Sequence, residues 1–124
     1  MKKNRPVNLD IGTIELPITA YASILHRASG VFLFAGCAVL LWLLDASLTS
    51  EESFNQIRTL CDSFIAKLIV WAVLAGLIYH AAAGVKHLVQ DFGIGETMEG
   101  GSRAARIVFA VSIVLIVLVG AWIW

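Results

Sequence analysis

Three stretches carry no charged residue at all: Ala28 to Leu44, Leu68 to Val85 and Ile107 to Trp124, of 17, 18 and 18 residues. Each is close to the roughly 17 to 25 residues that an α-helix needs to cross the hydrocarbon of a bilayer. A chain of 124 residues is long enough for one small soluble domain, but such a domain interleaves polar with apolar residues along every element. Here hydrophobic residues make up 59% of the sequence, above the roughly 45 to 50% usual in soluble domains, and they are gathered in blocks. One such block could be a buried helix of a soluble core, but three in so short a chain leave no polar surface to cover them. The expected fold is an all-α membrane protein of three transmembrane helices with short connections, a single membrane-anchor domain over 1–124. Within it 1–27 forms a cytoplasmic lead-in, and the helices span about 28–48, 64–86 and 105–124. Ala46 to Leu48 and Phe64 to Ala66 lengthen the first two runs.

Lys and Arg set the expected orientation, because cytoplasmic segments keep positive charge during insertion. Lys2, Lys3, Arg5 and Arg27 precede the first run, and Lys86, Arg103 and Arg106 flank the second connection. The first connection holds Arg58 and Lys67 against Asp45, Glu51, Glu52 and Asp62, and the chain closes on Trp122 and Trp124, residues suited to the far interface. The amino terminus is therefore expected in the cytoplasm and the carboxyl terminus in the periplasm. Lys2, Lys3 and Arg5 resemble the basic start of a secretory signal, but Asp10, Glu15 and Pro17 break the segment after them, and the apolar run begins late and continues long. The start also lacks the Arg-rich, acid-poor character of an organellar presequence, which points to a bacterial inner membrane, with a processed organellar chain as the alternative.

Other signals exclude classes of function. Cys37 lies in the first run and Cys61 in the outer connection, at different expected depths, so the two are not expected to pair. There is no C-x-x-C, no C-x-x-C-H for covalent haem, no glycine-rich dinucleotide fingerprint and no P-loop. A net charge of zero argues against a nucleic-acid partner.

His80 is the polar residue deepest in an apolar run. An imidazole there is costly in hydrocarbon and needs a partner, so the default reading is a functional site. It falls about 9 Å along the axis from Lys86 at ~1.5 Å per residue, nearer the cytoplasmic end. Gly76, His80 and Gly84 recur every fourth residue and share a stripe with Ala83 beside it. Two readings fit that stripe: an axial nitrogen with room for a flat haem, or small residues that let helices pack tightly while His80 bonds across the interface. His87 lies on nearly the same face, about 10 Å further along, so one straight helix cannot supply both axial ligands. His26 begins the first run at the surface, too shallow for the opposite ligand, which points to another chain.

Ser23, His26 and Arg27 share a face if the helix extends back toward Thr19, a cap candidate after Pro17. That face offers a hydroxyl donor, an imidazole and a fixed cation at the depth of His80, His87 and Asp91. The plain alternative is topology and lipid headgroup contact. For Asp91 it is a solvated loop carboxylate.

The stretches Arg5-Pro-Val-Asn-Leu-Asp10, Ser23-Ile-Leu-His-Arg-Ala-Ser-Gly30 and Tyr79-His-Ala-Ala-Ala-Gly-Val-Lys-His-Leu-Val-Gln-Asp91 closely resemble the cytochrome b membrane-anchor subunits of bacterial succinate dehydrogenase. The resemblance covers nearly the whole chain. It implies that His80 is one axial ligand of a haem b whose iron takes its other ligand from a second membrane anchor subunit. It further implies that Ser23 and Arg27 help form a ubiquinone site, and that His26, Arg27 and His87 lie near the haem propionates. Residue chemistry agrees: a hydroxyl can donate to a quinone carbonyl, a guanidinium offsets negative charge on a propionate or a partly reduced quinone, and Leu16 and Ile24 could wall the ring. The chain has no flavin site and no cysteine cluster for iron–sulfur centres. Flavin and iron–sulfur clusters would therefore sit on a flavoprotein subunit and an iron–sulfur subunit that deliver electrons from succinate at the cytoplasmic face, with Asp91 a candidate for proton delivery. The rival readings are a fumarate reductase anchor, which the His-Arg-x-Ser-Gly element disfavours, and a non-redox structural or transport subunit in which His80 and Arg27 make interhelical contacts or a polar path.

Overall fold

The computed structural model describes residues 7, 9–10 and 12–124. The cations Lys2, Lys3 and Arg5 lie outside the described residues, as does the Arg5-to-Asp10 stretch apart from Val7, Leu9 and Asp10. Among the described residues there are four helices: α1 (Ile18–Thr49), α2 (Glu51–Cys61), α3 (Phe64–Asp91) and α4 (Met98–Ile123). Of these, α1, α3 and α4 are long and apolar enough to cross a membrane.

All three long helices outrun the uncharged stretches from which they were read. At ~1.5 Å per residue they measure about 48, 42 and 39 Å, against roughly 30 Å of hydrocarbon, so their charged ends stand in the interfacial layers. α1 starts directly after Pro17, whose extended backbone (φ −67°, ψ 158°) ends the irregular segment, and no side chain caps it. Thr19 is thus already helical and is not the cap, while Ser23, His26 and Arg27 do ride on the same continuous helix as the apolar run.

The outer connection is helical where a short loop was expected. Ser50 is extended (φ −163°, ψ 166°), closes α1 and caps α2, its hydroxyl accepting from the Ser53 amide at 3.0 Å. Glu51 and Glu52 in the first turn and Arg58 in the last complement the helix dipole. Ser53, Ile57 and Cys61, four residues apart, are the half-buried positions of α2. Ser63 and Thr97 cap α3 and α4 by accepting from the amides of Ala66 and Gly100. The turn between α3 and α4 uses Gly93 and Gly95 at φ 83° and 71°, backbone that side-chain-bearing residues rarely adopt.

α3 lies between α1 and α4 and packs on both. The seams are made of small groups: Ala22, Val73, Ala83 and Ala105 are among the few buried apolar residues, and no large side chain is fully enclosed among the described residues. A Cβ on Gly36 would meet Val73 at 3.0 Å, and one on Gly120 would meet the Trp71 indole at 3.1 Å. Close backbone approach of this kind is how helices associate where lipid removes the hydrophobic drive between them. Among the bonds that tie α3 to its neighbours, the Trp71 indole donates to the Ile116 carbonyl at 2.9 Å, and the Tyr79 hydroxyl donates to the Ala22 carbonyl at 2.7 Å.

Candidate functional site

His80 points from α3 onto α1. Its Nδ1 lies 2.9 Å from Ser29 Oγ and 3.2 Å from the His26 carbonyl oxygen. The Ser29 hydroxyl itself donates to the His26 carbonyl at 2.7 Å. A carbonyl oxygen only accepts, and Ser29 has already spent its proton on it, so the arrangement assigns the ring proton to Nδ1. Nε2 is left as the basic nitrogen, with no hydrogen-bond partner among the described residues. This is the form in which histidine ligates a metal, its second nitrogen fixed by a backbone carbonyl or another acceptor.

His26 is stacked on His80, ring centroids 4.3 Å apart and planes 11° from parallel, and its ring also meets that of His87 at 4.9 Å. The three imidazoles are thus contiguous. The expectation that His26 is too shallow to serve opposite His80 gives way to a different reason: a ring stacked face to face on another cannot approach the far side of the same metal. The Gly76, His80, Gly84 stripe does not stand open either. Phe32 of α1 lies where a Cβ of Gly76 would fall, at 2.8 Å, and His26 Nε2 is 3.7 Å from the corresponding point at Gly84. Within this chain the glycines serve tight helix packing, and a Cβ on Gly30 would meet His80 Cε1 at 3.2 Å.

Ser23 is half-buried one turn before Arg27, which is exposed; Ile24 is 50% exposed, and Leu16, half-buried, lies in the lead-in segment just before α1. Asp91 is the exposed last residue of α3. Among the described residues no group of three or more His, Cys, Asp or Glu could hold a bare metal ion, so any metal held at His80 needs ligands from elsewhere. The residue that sequence reasoning passed over is Ser29. It lies inside the Ser23-to-Gly30 element, three residues after His26, and that spacing to a carbonyl one turn back is the only signal that could have revealed it.

Fold and site together define a small multi-pass helical membrane protein with a histidine cluster between its first two spans. Residues 1–119 match the family described as the succinate dehydrogenase/fumarate reductase transmembrane subunit. The chain is 40% identical to the succinate dehydrogenase cytochrome b556 subunit of Coxiella burnetii over 100% of both proteins. It is 33% identical to the subunit of that name from Paracoccus denitrificans, over 93% of this chain and 88% of that one. It is 36% identical to the succinate dehydrogenase cytochrome b560 subunit of Marchantia polymorpha, over 75% and 72%. The chain belongs to this family of membrane anchors.

Proposed function

We propose that the chain is the haem b-binding anchor of a succinate:quinone oxidoreductase in a bacterial inner membrane, its amino terminus cytoplasmic and its carboxyl terminus periplasmic. The observation that carries this reading is the Nδ1–H of His80 held between the Ser29 hydroxyl and the His26 carbonyl, with Nε2 left free to ligate. The imidazole fits a haem iron; the glycines beside it, covered by α1, do not supply the space. His80 would hold the haem iron through Nε2, and the second anchor subunit would supply the other ligand. Haem b, when bound, provides a one-electron store beside the quinone site.

This chain's residues bind and orient. Arg27 offers charge-assisted bonds to a propionate, with His26 and His87 beside it. Ser23 donates to a carbonyl oxygen of ubiquinone, Arg27 offsets the negative charge that arrives with the electrons, and Ile24 and Leu16 line the ring. Two electrons from succinate, passed through the flavoprotein and iron–sulfur subunits, and two protons, for which Asp91 is the relay, convert quinone to quinol. The fumarate reductase alternative falls within the same family description, and the relatives' names favour succinate oxidation.

In the purified assembly, His80→Ala should lose the b-type signal of the reduced-minus-oxidised spectrum; an intact bis-imidazole spectrum would remove His80 from the ligand set. Ser23→Ala and Arg27→Ala should each lower quinone reduction by roughly tenfold or more, the effect of losing one hydrogen bond to a charged group at ~1.5–3 kcal/mol. Succinate oxidation with a soluble acceptor should persist in both. A parallel fall of the two activities would mean defective assembly and not a lost quinone contact.

A further inference from the structure

A second feature lies between α3 and α4 and owes nothing to the haem and quinone reading. A groove of ≈ 820 Å³ runs between these helices, from Gln90 and the α3–α4 turn down to Leu77 on α3 and Leu115 on α4. Its walls are aliphatic except at the turn end, where Lys86, Gln90 and Arg103 line it. Lys86 is only 7% exposed and has no hydrogen bond or ion pair among the described residues. Lys86 lines the groove with no acidic partner among the described residues, so an anion placed there would pair with it. The Arg103 side chain is 74% exposed, with Glu99 at 4.0 Å, and so can turn toward a ligand.

The shape of the groove chooses the kind of anion. It is cationic at one end and ends at Leu77 and Leu115 at the other, short of the point where the Trp71 indole bonds the Ile116 carbonyl and sits over Gly120. From Gln90 to Leu77 it runs about 20 Å at ~1.5 Å per residue. That is close to one leaflet with its interfacial layer, taking roughly half of a ~40–45 Å bilayer. A spanning helix of another subunit would need a groove open through both leaflets. A positive rim over an apolar trench one leaflet deep complements a phosphate ester above an acyl chain.

We propose that the α3–α4 groove binds one anionic phospholipid from the leaflet on the side of the α3–α4 turn, its phosphate against Lys86 and Arg103 and an acyl chain along Val85, Ala82 and Ala104. The lipid supplies the counter-charge that Lys86 lacks and fills the trench between α3 and α4.

The test is native mass spectrometry of the delipidated, detergent-purified assembly, back-titrated with phosphatidylglycerol or phosphatidylcholine of identical acyl chains. Wild type should retain one more phosphatidylglycerol than phosphatidylcholine. Lys86→Gln should bind it about fivefold more weakly, the usual effect of one cation on an anionic lipid, and Ala104→Phe, which fills the trench and leaves the charges, should abolish the extra equivalent. Equal retention of both lipids by wild type, or unchanged retention in both variants, would overturn the proposal. So would a photo-crosslinker at Ala104 that captures another subunit in place of lipid, since that would make the groove a protein interface.

Discussion

Ser29 and His80 form the smallest unit in which sequence becomes chemistry here. A buried hydroxyl that spends its proton on the carbonyl one turn back turns its lone pair toward His80 Nδ1 and so decides which ring nitrogen is basic. Replacing such a partner typically weakens metal binding by about 10- to 100-fold. Because the His26 carbonyl at 3.2 Å remains as an acceptor, Ser29→Ala should fall at the lower edge, roughly tenfold, with Ser29→Thr near wild type. The haem-to-protein ratio after repeated detergent exchange measures this, and an unchanged ratio in Ser29→Ala would remove Ser29 from the ligand's support. His80 and His26, which the fold stacks together, stand out in the sequence because a polar residue in or beside hydrocarbon is conspicuous. Ser29 does not, since a helical serine usually bonds its own backbone and only the fold brings a histidine from 51 residues away to the same carbonyl.

Helix by helix, the three spans followed from the absence of charge, while their ends did not. Interfacial layers admit Arg27, Lys86 and Arg103 without ending a helix, so charge marks where hydrocarbon stops and not where hydrogen bonding stops. The helix α2 was missed for a related reason: it buries only one narrow face, Ser53, Ile57 and Cys61, too slight a pattern beside its neighbours. Its cap was nonetheless written in Ser50 followed by Glu51 and Glu52. The seams could not be ranked from sequence, because the effect of a glycine depends on what faces it. Val73, β-branched and 3% exposed, cannot retreat from a methyl on Gly36, whereas Phe32, 45% exposed, can swing away from one on Gly76. Gly36→Ala should therefore cost about 1–3 kcal/mol through overpacking and lower the thermal midpoint in detergent clearly more than Gly76→Ala. Equal midpoints would mean that α1 and α3 separate freely at Gly36.

For the whole molecule, surface area shows how incomplete the chain is by itself. It exposes 9411 Å², where a soluble protein of 13.4 kDa would expose about 6500 Å². Much of that surface is apolar, with Val31, Phe34 and Trp122 at 77%, 87% and 82% exposure, and membrane and partner subunits are what can cover it. The proposed orientation is read at this scale from the distribution of Lys and Arg, and labelling checks it. With Cys37 and Cys61 replaced by Ser, Gln56→Cys in α2 should react with a membrane-impermeant maleimide in spheroplasts. Glu96→Cys in the α3–α4 turn should react only in inverted vesicles, and the reverse pattern would invert the topology.

The scarcity of enclosed bulk has a consequence for how the chain tolerates change. Residues such as Ala22, Ala83 and Ala105, at 1%, 1% and 0% exposure, act as spacers whose smallness sets the distance between rods, and each added methyl there must displace a whole helix. Along the outward faces, one bulky apolar residue can stand in for another wherever only acyl chains look on. A scan of every substitution should thus divide the molecule into a sparse skeleton of intolerant small positions and a broad, forgiving exterior, the inverse of a soluble domain, whose intolerance gathers at its largest side chains.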